Sequence, residues 1–318
     1  MEKNKKESFE LVGNPLISRS MTVDDLLEVY GEIYGFMSGH LYEAVKLIEG
    51  MERPQLSVLS FTANLVSTGL RSIFAQMIRE GLFDAVFTTC GTLDHDIARS
   101  LGARYMKGSF YVDDAELYKK GYHRLGNIFI PLEDYGPLVE KFLMENLEVI
   151  VSEKKEWSIY ELLWRLGGII EDEKSILKAA SEARVPIFVP GWPDGAFGTS
   201  LFMAKQKGIP VNVNYFKDMQ KLASMFFTDK EGFGLLVGGG ISKHHAIWWS
   251  QFMGGLSNVI YVTTAVEYDG SLSGAHPREA VSWGKVKAGA GKIVVYGDAT
   301  LVLPLIAYTM LKNWRRSS

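Results

Sequence analysis

Hydrophobic positions change their rhythm early in this chain. Residues 1–20 are polar and irregular, which predicts an N-terminal arm. Thr22-Val-Asp-Asp then offers a hydroxyl cap followed by acids, and apolar residues recur at helical spacing to about Ile48, predicting one long amphipathic helix. Short apolar runs follow at 56–61, 85–89, 187–189, 211–213, 234–237, 258–262 and 292–296, with helical periods between most of them. Strands that are apolar on both sides are buried on both faces, so the pattern predicts an α/β fold: a parallel sheet with helices on both faces. No repeat, low-complexity tract or linker interrupts it, and residues 21–318 read as a single large domain behind the arm.

Several predicted strands end in small or hydroxylated residues. The runs are Thr62-Ala-Asn-Leu-Val-Ser-Thr-Gly69, Thr88-Thr-Cys-Gly91, Gly191-Trp-Pro-Asp-Gly195, Gly238-Gly-Gly240, Thr263-Thr-Ala265 and Gly297-Asp-Ala299. Ligands of open α/β sheets bind beyond such strand ends. Gly238-Gly-Gly240 can bring backbone close to a pyrophosphate at a helix N-terminus, although it is not a G-x-G-x-x-G fingerprint, and a tight turn explains it equally well. Asp298 is placed either to accept from a ribose hydroxyl or to cap the helix that starts at Ala299.

Composition narrows the classes. With 318 residues, 47% hydrophobic and 22% charged, the chain can bury a large core. A net charge of -3 leaves no basic excess for phosphates, so no nucleic acid partner is expected. The single cysteine, Cys90, excludes a disulfide framework and a Cys-rich zinc site and fits a cytoplasmic location. The charged start Met1-Glu-Lys-Asn-Lys-Lys-Glu lacks an apolar run behind it, and residues 301–311 are too few to span a bilayer, so neither export nor membrane insertion is expected. Metal catalysis is disfavoured, because the six histidines form no H-E-x-x-H arrangement.

Chemistry concentrates in residues 269–285, where Asp269, Glu279, Trp283 and Lys285 sit among glycines and serines. A helix opened by Pro277 would align Glu279 with Trp283 at i,i+4, and Gly284 would release Lys285 into the same cleft. A nucleophilic lysine must fall roughly three units from its usual pKa of about 10.4, about 4 kcal/mol of differential stabilisation. In Lys243-His-His245, adjacent histidines cannot both face one site on a helix, so one of them is structural and His244 is the candidate for binding an amine or relaying a proton. Asp94-His-Asp96 reads as a charged first turn of helix after Gly91.

Together these residues resemble deoxyhypusine synthases, especially archaeal ones. The likeness rests on Glu279-Ala-Val-Ser-Trp-Gly-Lys285 with Asp269-Gly-Ser and Ser273-Gly-Ala before it. It extends through Phe61-Thr-Ala-Asn-Leu-Val-Ser-Thr-Gly69, Arg124-Leu-Gly-Asn127, Asp194-Gly, Gly238-Gly-Gly-x-x-Lys-His244, Thr264-Ala265 and Asp298-Ala299. The resemblance implies a Rossmann-like fold with NAD as cofactor, a homotetramer with sites at subunit interfaces, and spermidine or a related polyamine as substrate. The 4-aminobutyl group would pass through an imine on Lys285 to a lysine of the translation initiation factor 5A precursor. By the same resemblance His244, Glu279, Trp283, Ser282 and Gly270 would contact the polyamine. Asn64, Ser67, Thr89, Cys90, Gly91, Asp194, Gly239, Thr264, Ala265, Asp298 and Ala299 would line the cofactor, with Asp269 and Ser273 supporting it.

Departures from the family pattern fall on charges. Where the family commonly has Ala-Gly-Gly-Val-Glu-Glu-Asp, this chain has Cys90-Gly-Thr-Leu-Asp-His-Asp96, so His95 replaces a glutamate. Thr199 replaces an amine-anchoring aspartate, and Leu272 stands where some members carry one. Each lost charged hydrogen bond weakens amine binding by about 1–3 kcal/mol. Two alternatives follow: a related transferase that makes homospermidine from putrescine, and a non-catalytic NAD-binding protein. A sirtuin-like deacylase is excluded by the missing zinc cysteines.

Overall fold

In the computed structural model of the protein, residues 10–314 are described. Nine strands occur among them: β1 (Leu56–Phe61), β2 (Ala85–Phe87), β3 (Met106–Lys107), β4 (Tyr122–Leu125), β5 (Ile128–Pro131), β6 (Ile187–Phe188), β7 (Gly232–Val237), β8 (Leu256–Thr263) and β9 (Val286–Tyr296). Six form one sheet in the order β6-β2-β1-β7-β8-β9, and every neighbouring pair is parallel. The chain moves outward from β1 through β2 to β6, then crosses to the other side of β1 and continues through β7, β8 and β9. The reversal of direction lies between β1 and β7, the place where doubly wound sheets open a crevice at the carboxyl ends of their strands.

The strands are apolar because both faces are covered. In β1 and β7 every residue is buried. Pleating sends Leu59, Phe61, Leu235, Val237, Ile260 and Val262 into one core, while Val58, Phe87, Leu236, Val259 and Tyr261 enter the other. The first core is roofed by helices that include Leu70–Arg79, Cys90–Ser100, Gly136–Ser152 and Ala299–Asn313, and the second by Tyr215–Phe226, Gly240–Ser250 and Pro277–Ser282.

Three expectations need correction. The long first helix is two, Val23–Ile33 and Met37–Glu49, separated where Tyr34 and Phe36 take positive φ of 50° and 56°. The Thr22 cap is present as a reciprocal box with Asp25. Residues 211–213 are not a strand of the main sheet; Val213 makes an isolated bridge to Trp157. A three-stranded antiparallel sheet, β3-β5-β4, inserts between β2 and β6, and none of its strands is among those predicted. The outer part of the arm, residues 1–9, lies outside the described residues, while Gly13 N–H donates to the Glu32 carbonyl at 3.0 Å.

Candidate active site

At the reversal point a cleft of about 390 Å³ is lined by Thr62, Leu65, Gly238, Gly239, Val262, Thr263, Thr264, Ala265, Ser273, Gly297, Asp298 and Ala299. Six of the expected cofactor residues meet here: Gly239, Thr264, Ala265, Ser273, Asp298 and Ala299. The glycines have separate physical reasons. Gly238 follows β7 with φ of 81°, a conformation that side chains resist, whereas a Cβ at Gly239 would overlap Ser273. Helix Gly240–Ser250 then starts without a side-chain cap, so its first N–H groups are free to meet an anion. Asp298 is the helix cap: its Oδ1 accepts from Thr300 N at 2.7 Å and from Thr300 Oγ1 at 2.8 Å, while the residue still borders the cleft.

Beside this cleft is a cavity of about 230 Å³, which gathers Lys243, His244, Trp248, Tyr261, Leu272, His276, Glu279, Trp283 and Lys285. Its shape follows from local chain geometry. Pro277 opens the helix Pro277–Ser282, and Gly284 at φ of 67° reverses the chain. Lys285 N–H then donates to the Ala280 carbonyl at 3.0 Å. Lys285 is 8% exposed, with Nζ 5.2 Å from the Trp283 ring centroid and 5.7 Å from that of Trp248. Among the described residues its amine makes no hydrogen bond or ion pair, so two indole faces are what it meets. His244 stacks on Trp248 at 5.8 Å between ring centroids. Partial burial and the Lys285 charge hold its imidazole below the usual histidine pKa, so it is a neutral proton acceptor near pH 7.

His245 is the structural partner of the pair. Its Nε2 lies 3.2 Å from Tyr215 Oη, and burial pushes its pKa down to about 4. Sequence reasoning missed what surrounds Lys285. Trp248 lies four positions after His244, a helical spacing that could have exposed it. Tyr261 sat unremarked in a predicted strand, and Lys243 was read only as part of a motif. Lys243 is 1% exposed, donates from Nζ to the carbonyls of Leu272 at 2.8 Å and Ala275 at 3.0 Å, and lies 4.1 Å from the Tyr261 ring centroid. Burial pulls its pKa down to about 8.

The remaining expected residues separate. Asn64 and Gly91 line a third cavity of about 270 Å³ with His95, His123, Arg124 and Tyr135. Ser67 Oγ donates to the Asn64 carbonyl at 2.7 Å, and Thr89 precedes the helix that starts at Cys90 without capping it through its side chain. The buried Cys90 thiol is pushed up to about 12 by desolvation and the Asp94 charge, with Asp194 adding to it, which makes it a poor thiolate. Asp269, Gly270 and Ser282 border none of these cavities: Asp269 Oδ1 accepts from Ser271 N and Oγ, and Ser282 Oγ donates to the Glu279 carbonyl. Of the three departures, only Leu272 lines the Lys285 cavity; within one chain Thr199 borders a different cavity and His95 the third.

The Asp94–Asp96 segment is not the first turn of its helix, which starts at Cys90 and has no acid in that turn. Both carboxylates are buried and cap the starts of other helices. Asp94 accepts from the N–H groups of Ala196 and Phe197 and from Tyr135 Oη. Asp96 accepts from Ile176 N, Leu177 N, Ser175 Oγ and Arg71 Nε.

Comparison with known proteins bears on this arrangement. The deoxyhypusine synthase family profile matches residues 25–310. A protein of Aeropyrum pernix named probable deoxyhypusine synthase is 59% identical over 306 residues, 95% of this chain and 99% of its own. One of Ignicoccus hospitalis bearing the same name is 52% identical, covering 95% of this chain and 96% of its own. Among solved structures, an Entamoeba histolytica protein assigned to deoxyhypusine synthase superposes with a TM-score of 0.63 at 18% identity, covering 94% of this chain and 96% of its own, a likeness of fold.

Proposed function

The chain belongs to the deoxyhypusine synthase family of aminobutyl transferases, and we propose that it moves the 4-aminobutyl group of spermidine to a lysine of the translation initiation factor 5A precursor, with Lys285 as carrier and NAD as cofactor. One observation carries this reading. A buried lysine without hydrogen-bond partners among the described residues stands in an indole-walled cavity, and a single segment, residues 272–276, contributes to both that cavity and the strand-end cleft.

The cleft suits a dinucleotide. It lies at the reversal point of the sheet, a free helix N-terminus opens onto it, and at Gly238 and Gly239 bare backbone forms part of its wall. Gly239, Thr264, Ala265 and Asp298 would hold NAD, which when bound would take hydride from the amine carbon and later return it.

The chain's own groups supply the rest. Glu279, at the cavity wall, faces the remote ammonium of the polyamine, and the Trp283 and Trp248 faces bracket the aminobutyl stem. His244 takes a proton from Lys285 as its Nζ forms a bond to the imine carbon. That carbon's bond to the departing 1,3-diaminopropane nitrogen then breaks, and this nitrogen leaves carrying a proton. The same exchange run towards the acceptor lysine frees Lys285. Lys285 is therefore the catalytic residue and His244 its proton partner.

Purified protein with NAD and labelled spermidine, offered both the factor precursor and putrescine, tests this. Label on the factor supports the reading. Homospermidine with an unlabelled factor overturns it in favour of a free diamine acceptor, and no transfer to either removes the enzyme reading.

A further inference from the structure

Among the described residues two lysines are buried, Lys285 and Lys243, and the mechanism uses only the first. We infer that Lys243 is a positioning residue for both cavities: its amine ties residues 272–275 to the helix Gly240–Ser250 and so fixes the wall that the cavities share. The inference rests on the two-site reading above for its consequence, not for its geometry.

That wall is one short piece of chain with two faces. Ser273 looks into the strand-end cleft, whereas Leu272, Ala275 and His276 border the Lys285 cavity. The two carbonyls that Lys243 Nζ engages, those of Leu272 and Ala275, flank Ser273 and Gly274. The opposite side is held by close approach: a Cβ at Gly239 would overlap Ser273, and one at Gly274 would overlap the Val266 carbonyl. Gly239 and Lys243 belong to the same helix start, so one turn of chain grips the wall at two points, by a missing side chain and by a long one.

A lysine suits this task. Its stem crosses the interface between helix and sheet, its amine sits over the Tyr261 ring at 4.1 Å, and even the neutral amine keeps two N–H donors for two carbonyls. The tie therefore survives titration near pH 8, where burial has moved this group. A methionine would fill the same space and leave both carbonyls without this donor.

Amide hydrogen exchange across residues 264–276 tests the inference without substrate. Lys243→Met should speed exchange there by about tenfold, while Leu147→Ala, which hollows the core in the distant helix Gly136–Ser152, should lower the melting temperature at least as much and leave 264–276 at the wild-type rate. Titration with NAD should show about tenfold weaker binding in Lys243→Met and unchanged binding in Leu147→Ala. If Lys243→Met does not fold, Lys243→Gln, whose shorter stem reaches one carbonyl at most, should give a few-fold acceleration of the same amides. Wild-type exchange in the Lys243 variants, or equal acceleration in Leu147→Ala, overturns the inference. Wild-type protein that binds no NAD would refute the proposed cofactor, while the exchange comparison would still decide the role of Lys243.

Discussion

Two clusters of ionisable side chains in this molecule, each combining histidine with carboxylate, differ in what their groups are doing. In Asp94-His95-Asp96 the polar atoms are committed. Asp96 alone accepts four hydrogen bonds, one from Arg71 Nε at 2.6 Å, and His95 Nδ1 lies 2.8 Å from Tyr105 Oη. In His244, Glu279 and Lys285 the side chains meet aromatic faces and open cavity instead. A satisfied buried charge holds helices in place, whereas an uncommitted one at a cavity wall is available to a ligand. Burial differs as well: Asp94, His95 and Asp96 are all buried, whereas in the second group Lys285 is buried and His244 and Glu279 are exposed.

Substitution should split the clusters cleanly. At the uncommitted one, Lys285→Ala should lower transfer at least about 1,000-fold with the melting temperature little changed, and Lys285→Arg should fail as well because guanidinium keeps its proton. Transfer assays beside thermal melts check both; substantial activity in Lys285→Arg would contradict amine nucleophilicity. At the committed one, Asp96→Ala should cost about 3–5 kcal/mol of stability in denaturant titration, because it leaves Arg71, 4% exposed, without its buried partner and three donors without an acceptor. A loss below about 1 kcal/mol would show the cluster to be less committed than its geometry.

The histidines extend the comparison to pH. His95 is pushed down to about 4 by burial and by the Arg99 charge, so it is neutral when folded and protonates more readily when unfolded. Its contribution is complete above about pH 6.5 and is lost as pH falls towards 4, up to about 3 kcal/mol. Asp218, raised to about 6 by burial, acts in the opposite sense, so the difference between wild type and His95→Gln isolates the effect. That difference should shrink as pH falls; a constant one would refute the assignment. His244 is also shifted downward, so the acid limb of kcat/KM should lie below the ordinary histidine range and vanish in His244→Asn.

The smallest effect belongs to Glu279. Glu279→Gln should raise the amine KM about tenfold, as expected for one charged hydrogen bond, and change stability by less than about 0.5 kcal/mol. An unchanged KM would remove its role as the ammonium contact.

Much of the fold was legible because two-sided burial leaves a plain trace. The apolar run at 56–61 coincides with β1; of the other five runs that became strands of the main sheet, four share one end with their strand and 258–262 lies inside β8. The antiparallel insertion was not legible, because β3 and β4 are partly exposed and carry no apolar run, which leaves the short apolar stretch Ile128-Phe-Ile of β5 without a recognisable partner. Nor was the break after Ile33, where the helical period continues across residues whose backbone turns to positive φ. Within the site, Gly284, Trp283 and Lys285 could be placed from chain direction alone. Trp248 was within reach through its i,i+4 spacing from His244, but Lys243 was not, since which face of helix Gly240–Ser250 meets the 272–276 segment is decided by tertiary packing.

The central claim is that the uncommitted lysine is the carrier. Protein mixed with NAD and labelled spermidine, reduced with borohydride and digested, should carry an aminobutyl adduct on the peptide containing Lys285 and on no other. An adduct on Lys243 or another lysine, or labelling of the acceptor with no adduct on the protein at all, would contradict it.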